Sequence, residues 1–421
     1  MTPARSALLA ATLAYAAAVI IAVAVVPWDA DVAPWADLDL PTLGQFTSDQ
    51  IDSIEAYVAA AWLPGVLGVL AGPVAAVGIL LVPGVRRAIT GIGSAHPRHH
   101  PVRRIVHDVV VALIVLAVVR LAALPFTVWS AQVRRDAGLL VEPWSAWWLR
   151  WLAESTAFVA LGAVGIVAAL TVLRRWPRRG WVAVTAGAGL VAIVVTAVIP
   201  LLQRVEGTTA APALTARVQA IAEQAGVEVG AVTVIAVADT TPAINANVSG
   251  WGPTRTVTVF DTVATTLTDA ELDALIAHEL IHVREGDAAL GALLASLAAM
   301  GTAALVCALA LSPRVRRRIG ATSPGDARVI PLVVAVFLVA TLVATVAGAS
   351  ISRPLESRAD REAIALTGDP QSYSSLIRQL AVTNRSTLTP AQWRYALFFT
   401  HPTPLQRLLA AEMSAQTPAA G

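Results

Sequence analysis

Residues 276–287 read "IAHELIHVREGD" and contain the pattern His-Glu-x-x-His. His278 and His282 are four residues apart, so on an α-helix they project from the same face and both imidazoles can reach one zinc ion. Glu279 lies beside them and is the residue type that activates water in zinc peptidases. The stretch therefore predicts a metal site on a helix.

The sequence before this stretch supplies the helix that the motif needs. Residues 268–271, Thr-Asp-Ala-Glu, match the capping box that begins many helices. Further upstream, "RVQAIAEQAG" predicts a short amphipathic helix, while "AVTVIAVAD" and "RTVTVFDTV" predict β-strands. A small sheet is thus expected to precede the motif helix.

The composition is that of a membrane protein. Hydrophobic residues make up 56% of the 421 residues and charged residues 14%, against about 45–50% and about 25% in soluble proteins. A net charge of +2 does not favour nucleic-acid binding. The single cysteine, Cys307, excludes both an intramolecular disulfide and a zinc site built from several cysteines.

Seven apolar windows approach the roughly 20 residues that cross a bilayer. The predicted spans cover residues 7–27, 57–83, 105–127, 151–173, 181–203, 288–312 and 329–350. The first is longer than the core of a signal peptide and is predicted to be an uncleaved anchor. Arg120 interrupts the third and either pairs near a helix end or marks a functional position.

These spans divide the chain into domains. Residues 1–203 form a membrane domain of five spans, and residues 288–350 form a hairpin of two. The polar segments 204–287 and 351–412 are then two parts of one domain that the hairpin interrupts, and residues 413–421 are predicted to be a disordered tail. The fold class is a multi-pass α-helical membrane protein with an inserted α+β domain.

Arginine-rich loops remain in the cytoplasm, which predicts the orientation. The loops at 84–104, 174–180 and 313–328 are basic, whereas residues 28–56 contain seven acidic residues and no arginine. The N terminus is therefore predicted to be cytoplasmic and the split domain extracytoplasmic. Histidines 96, 99 and 100 fall on the opposite face, where a solvated loop is the simpler interpretation than a metal cluster.

A catalytic zinc uses three protein ligands, so a third must lie elsewhere. Glu356 in "RPLESRADREAIAL" is the best candidate, and Asp360, one helical turn later, could accept the free N–H of a metal-bound histidine. Without the histidine motif, both acids would be an ordinary charged helix start.

The motifs together resemble a known family. "INANVSG", "TVTVFDTV", "LTDAELDALIAHELIHVREGD", "LESRADREAIAL" and "THPTPLQRL" occur in the order found in the integral-membrane zinc metallopeptidases that include the type I CAAX prenyl endopeptidases and HtpX. The resemblance covers roughly residues 210–290 and 351–410. It implies a zincin-like metalloprotease domain that binds one zinc ion through His278, His282 and Glu356, with Glu279 as general base.

The resemblance also assigns further residues. It implies that Asp360 supports the metal ligands and that His401 and Arg407 act near the scissile bond. Asn245 and Ala246 would belong to an edge strand that binds substrate by strand addition. One departure is Ile281, where the family usually has glycine. Another is the orientation, because well-known members face the cytoplasm. Either the span count is wrong by one or this is an extracytoplasmic branch.

The function expected from these residues is zinc-dependent hydrolysis of peptides or membrane-associated proteins at the cell membrane. A second hypothesis is a non-catalytic zinc-binding sensor or scaffold derived from such a protease. A transporter is disfavoured, since the halves show no convincing repeat. The bilayer is the other expected partner, and the sequence predicts neither the substrate nor the oligomeric state.

Overall fold

The computed structural model describes residues 1–30, 40–92 and 101–416. Its helices are α1 (Pro3–Val25), α2 (Ser48–Leu81), α3 (Pro83–Gly91), α4 (Pro101–Asp136), α5 (Trp144–Arg175), α6 (Gly180–Glu206), α7 (Pro212–Ala225), α8 (Asp261–Thr266), α9 (Asp269–Arg284), α10 (Asp287–Leu311), α11 (Pro313–Ile319), α12 (Ile330–Thr367), α13 (Pro370–Thr383), α14 (Gln392–Phe398) and α15 (Pro404–Gln416). Its strands are β1 (Thr208–Thr209), β2 (Ala231–Ile235), β3 (Ala246–Ser249) and β4 (Thr256–Phe260).

Six of these helices are long and apolar enough to cross a membrane, namely α1, α2, α4, α5, α10 and α12. Each overlaps one of the predicted spans, which confirms a multi-pass helical protein. The fifth predicted span, residues 181–203, falls in α6. Its described part, Gly180–Thr196, is apolar, and the crossing at α6 stays a prediction.

Arg120 is held inside the helix bundle. Its guanidinium donates to Ser155 Oγ at 2.9 Å, and it lies 5.9 Å from the ring centre of Trp151 and 5.6 Å from that of Phe158. All three partners belong to α5, so Arg120 joins α4 to α5. This pairing accounts for a charge in an apolar helix without a functional role.

The three arginine-rich loops meet at one end of the bundle. Arg174 donates to Asp108 at 2.5 Å and to the carbonyl of Gly325. Arg86 donates to the carbonyl of Arg318. These bonds connect the loops around α3, after α5 and after α10, so the loops that the arginine count assigns to one side of the membrane do lie together. His96, His99 and His100 lie outside the described residues.

The sheet of the polar domain has the strand order β1-β2-β4-β3. β2 runs parallel to β4, and β3 runs antiparallel to β4 with Ala246 opposite Val259. β2 and β4 are the two strands expected from the sequence. β3 lies within the turn-rich segment between them and forms an edge of the sheet.

The core of this domain recruits a third piece of chain. The sheet, α7, α9, α13 and α15 bury one hydrophobic cluster that also contains Phe46 and Ile54, from the segment entering α2. Gln45 donates to Glu412 of α15 at 2.5 Å and accepts a bond from Arg378. Residues 45–54 are therefore part of the domain, which the division at residue 204 did not anticipate.

The polar domain and the hairpin share helices. α12 continues as one helix of 38 residues past residue 350, with Pro354 inside it. α9 ends at Arg284, and Gly286, at φ 74°, turns the chain directly into α10. At the other end of the chain, α15 reaches Gln416, so residues 413–416 of the predicted tail are helical.

The capping box predicted for α9 is present and generates a stability test. Thr268 N donates to Glu271 Oε2 at 2.7 Å, and Glu271 N donates to Thr268 Oγ1 at 3.3 Å. We expect Thr268→Ala to lower the free energy of unfolding by about 1 kcal/mol, because helix N–H groups lose their acceptor. The measurement is the denaturant midpoint of the purified protein. Thr215→Ala, which removes an exposed hydroxyl from α7, is the control, and equal midpoints for both variants would contradict this role.

Candidate metal centre

The helix α9, which carries the His-Glu-x-x-His pattern, is oriented by its buried face. Ile276 and Leu280 are fully buried in the hydrophobic core of the domain. Their burial fixes the rotation of the helix about its axis. His278 is only 5% exposed and lies on the part of α9 that packs against α12. α12 in turn buries Glu356 and Asp360. The pairing of these two helices creates the site.

Three side chains converge at one point. His278 Nε2 lies 3.2 Å from His282 Nε2 and 3.2 Å from Glu356 Oε2. His282 Nε2 lies 3.6 Å from Glu356 Oε1. The three side chains can each direct one ligand atom to a common centre, with all such atoms within 4.8 Å of one another. The structure thus brings together the three residues predicted to bind metal.

The chemistry of these donors fits a metal ion. Glu356 Oε2 is buried, and although the Nε2 atoms of His278 and His401 lie 3.2 and 3.3 Å away, neither contact has the geometry of a hydrogen bond; an unsatisfied buried carboxylate oxygen is costly. A cation between the carboxylate and the two imidazoles would satisfy all three groups. Two histidines and one glutamate are also the ligand set of a catalytic zinc that keeps a fourth position open.

Each histidine has its own carboxylate behind it. His278 Nδ1 lies 2.9 Å from Asp360 Oδ1, and His282 Nδ1 lies 2.8 Å from Asp287 Oδ2. Such partners hold the imidazole in one orientation and make the metal-facing nitrogen more basic. Asp360 was predicted from the sequence. Asp287 was missed, because it lies five residues after His282 and reaches it across the turn at Gly286.

Arginines neutralise these two carboxylates. Arg407 donates to Asp360 at 2.7 and 3.0 Å and to the hydroxyl of Tyr373 at 3.0 Å. Arg358 donates to Asp287 at 2.6 Å. Asp360 is buried, and the charged hydrogen bond from Arg407 compensates its carboxylate for the loss of water.

The ionisable groups on α9 respond to this environment. Burial alone would lower the pKa of His282, but the carboxylates of Asp287 and Glu356 outweigh it and raise the pKa to about 10. The pKa of His278 is also raised, because Asp360 and Glu356 outweigh burial. Burial raises the pKa of the Glu279 carboxyl. These shifts follow from the opposing effects of burial and of neighbouring carboxylates.

The remaining predicted residues lie around this centre. His401 Nε2 is 3.3 Å from Glu356 Oε2, and its side chain is 55% exposed. Partial shielding of this ring from water lowers the pKa of His401, so the ring is neutral near pH 7. Asn245 is exposed immediately before β3, whereas Ala246 is buried in the core. β3 packs beside α9.

Residues 209–415 match the peptidase family M48. Among curated proteins, an uncharacterized metalloprotease YhfN of Bacillus subtilis is 26% identical over 217 residues, which are 49% of this chain and 49% of that protein. A "Protease HtpX homolog" of Campylobacter curvus is 32% identical over 137 residues, which are 32% of this chain and 46% of that protein. The matches span about half the length of these relatives.

The fold resembles a solved structure over nearly its whole length. The crystal structure of S. mikatae Ste24p superposes with a TM-score of 0.75 and covers 96% of this chain and 99% of that one, at 17% sequence identity. At this identity the likeness establishes the fold alone. Together with the family match, it shows that residues 209–415 form a peptidase family M48 domain within a chain that shares the multi-pass helical fold of Ste24p.

Proposed function

We propose that the chain is a zinc endopeptidase that hydrolyses peptides or membrane-associated proteins. The observation that carries the proposal is the convergence of His278, His282 and Glu356 on one centre with Glu279 beside them. A purely structural metal site would not need the additional, partly buried carboxyl group of Glu279 at this position. Zinc is the metal proposed, one ion per chain, because two imidazoles and one carboxylate suit its four-coordinate geometry.

A zinc ion held by these three residues would lower the pKa of a water molecule to about 7 and polarise the peptide carbonyl. Glu279 then accepts the proton of the attacking water at its carboxylate and passes it to the leaving amine. One water is consumed and one C–N bond is broken. The raised pKa of Glu279 suits both steps, since it brings the carboxyl closer to neutral pH.

We propose that His401 stabilises the oxyanion that develops on the scissile carbonyl. Its neutral, exposed ring lies next to Glu356, at the edge of the metal centre where a substrate would enter. A catalytic role of Arg407 stays a prediction. Its described contacts are with Asp360 and Tyr373, and these support a role in positioning Asp360.

The substrate is proposed to lie along β3. This strand is an edge of the sheet, so its outer backbone groups are free of a neighbouring strand, and β3 packs beside α9. An extended peptide added there would pair with the backbone around Asn245 and Ala246 and pass the metal centre. Affinity from backbone bonds would make cleavage weakly dependent on substrate sequence.

The catalytic domain is proposed to face away from the cytoplasm. Ile330 of α12 follows the basic loops, and Glu356 lies 26 residues later, about 39 Å along the helix. This exceeds the roughly 30 Å of the hydrocarbon core. The metal centre and the basic loops are thus at opposite ends of the bundle, and basic loops remain in the cytoplasm.

The general-base role is tested with Glu279→Gln. We expect cleavage of an unstructured fluorogenic peptide to fall at least about 100-fold while zinc content stays at one per chain, because the amide cannot accept a proton. Glu223→Gln on the exposed surface of α7 is the control and should leave both measurements unchanged. Equal cleavage by Glu279→Gln and the native protein would refute the mechanism. Zinc binding without cleavage by either would support the sensor alternative.

The carboxylates behind the histidines are tested by metal affinity. We expect Asp287→Asn and Asp360→Asn each to weaken zinc binding about 10- to 100-fold in competition with a chelator, because the imidazoles lose orientation and basicity. Asp273→Asn is the control, since Asp273 lies on α9 with the two histidines but pairs with Arg217 and not with an imidazole. Zinc affinity equal to that of the control would show that these acids do not act on the metal.

The orientation is tested by labelling in intact cells. Cys307 is fully buried, so single cysteines can be added elsewhere in a Cys307→Ala background. A membrane-impermeant maleimide should label Glu223→Cys in the catalytic domain and should label Arg314→Cys in the basic loop only after permeabilisation. The reverse pattern would place the active site in the cytoplasm.

A further inference from the structure

A groove of about 560 Å³ lies away from the metal centre, between α2, α12 and the segment 385–399. This volume is within the range of about 300–1,000 Å³ that is typical of small-molecule sites. Its deep walls are aliphatic and come from residues such as Val66 and Val69 of α2 and Leu342 and Val346 of α12. Both helices are long and apolar enough to cross a membrane, so in a bilayer these walls would face lipid chains.

The rim of the groove is aromatic and positively charged. Arg385 and Arg394 are its two charged residues, and no carboxylate lines the groove. Neither guanidinium forms an ion pair within the part of the chain that the structure describes. Arg394 lies 3.7 Å from the ring centre of Trp62, whose edge also contacts Trp393 and Phe398. The rim therefore offers positive charge directly above an apolar cleft.

Arg385 has an unusual backbone conformation. Its φ is 53°, and it is the one non-glycine residue with positive φ among those described. Glycine or asparagine is favoured in this region, since a longer side chain is strained there. Arg385 lies just after α13, and Ser386 N donates to the carbonyl of Ala381 at 2.9 Å, so the left-handed turn at Arg385 ends that helix beside the groove.

We propose that this groove binds one anionic phospholipid, with an acyl chain between α2 and α12 and the phosphate on Arg385 and Arg394. A guanidinium can bind phosphate through two parallel hydrogen bonds. The aliphatic walls suit a hydrocarbon chain, whereas a peptide would bring backbone N–H and C=O groups that the walls cannot satisfy. The proposal does not depend on peptidase activity.

The groove wall is connected to the catalytic segment. Phe398 and Phe399 line the groove, and Arg353 of α12 donates to the carbonyls of Phe399 and Tyr395 at 2.8 and 3.2 Å. His401 follows two residues later. A lipid in the groove therefore packs against the same short segment that carries His401.

The test is native mass spectrometry of the full chain in detergent after delipidation. The probe is dioleoyl phosphatidylglycerol, with dioleoyl phosphatidylcholine as the headgroup control and glycerophosphoglycerol as the chainless control. We expect one phosphatidylglycerol to bind about tenfold or more tightly than phosphatidylcholine, and the chainless compound not to bind. Equal affinity for the two lipids, or binding of the chainless compound alone, would overturn the proposal.

Two substitutions locate the site. Arg385→Gly removes one guanidinium and relaxes the backbone, so it should reduce the preference for phosphatidylglycerol without unfolding the protein. Gly65→Leu should abolish binding, because Gly65 lines the groove and a side chain there meets nothing within 4 Å. Gly78→Leu on the same helix also meets open space but lies outside the groove, and it should bind lipid normally.

The same variants distinguish a lipid from a substrate segment. Unchanged lipid binding by Gly65→Leu, together with loss of cleavage of a membrane-protein substrate but not of a short peptide, would overturn the lipid site in favour of a substrate site. Lipid binding that survives in Glu279→Gln would show that the groove binds lipid independently of catalysis.

Discussion

The contact between α9 and the C-terminal part of α12 is the constraint on which the rest of the domain depends. It buries two imidazoles, two carboxylates and a guanidinium within one network, and each of these groups alone would be costly to remove from water. His278 lies between Glu356 and Asp360, and Arg407 neutralises Asp360 from the other side. The network is satisfied only when all of its members are present, so the two helices have one favourable register.

That register requires distant parts of the chain to meet. The helix with the histidines is anchored by the sheet and by α7, whereas the helix with Glu356 arrives from the membrane after the two-span hairpin. Arg407 comes from α15, and Phe46 fills the core from before α2. The hydrophobic cluster around the polar network therefore contains residues from four separate parts of the chain. The membrane helices between these parts determine where each part enters the domain.

Features that depend on neighbouring residues were predictable from the sequence, whereas contacts between residues distant in the chain were predictable only in part. The cap at Thr268 and the spacing of His278 and His282 follow from helix geometry, which a single sequence displays. Glu356 was found because a metal needs a third ligand. Asp287 was missed because its contact with His282 crosses a turn, and no periodic pattern reports such a contact. The continuity of α12 past residue 350 was likewise not predicted. The hydropathy that defines a membrane span ends near residue 350, whereas the helix continues as a polar segment.

The interrupted order of the domain has a consequence for how the protein can be lost from a membrane. Many surface enzymes are shed when one peptide bond is cut in the stalk that joins a compact ectodomain to its anchor. Here the hydrophobic core contains residues from before α2, from between α6 and α10, and from beyond the apolar half of α12. No single cut frees all three pieces, so the intact domain cannot be released into solution by one proteolytic event.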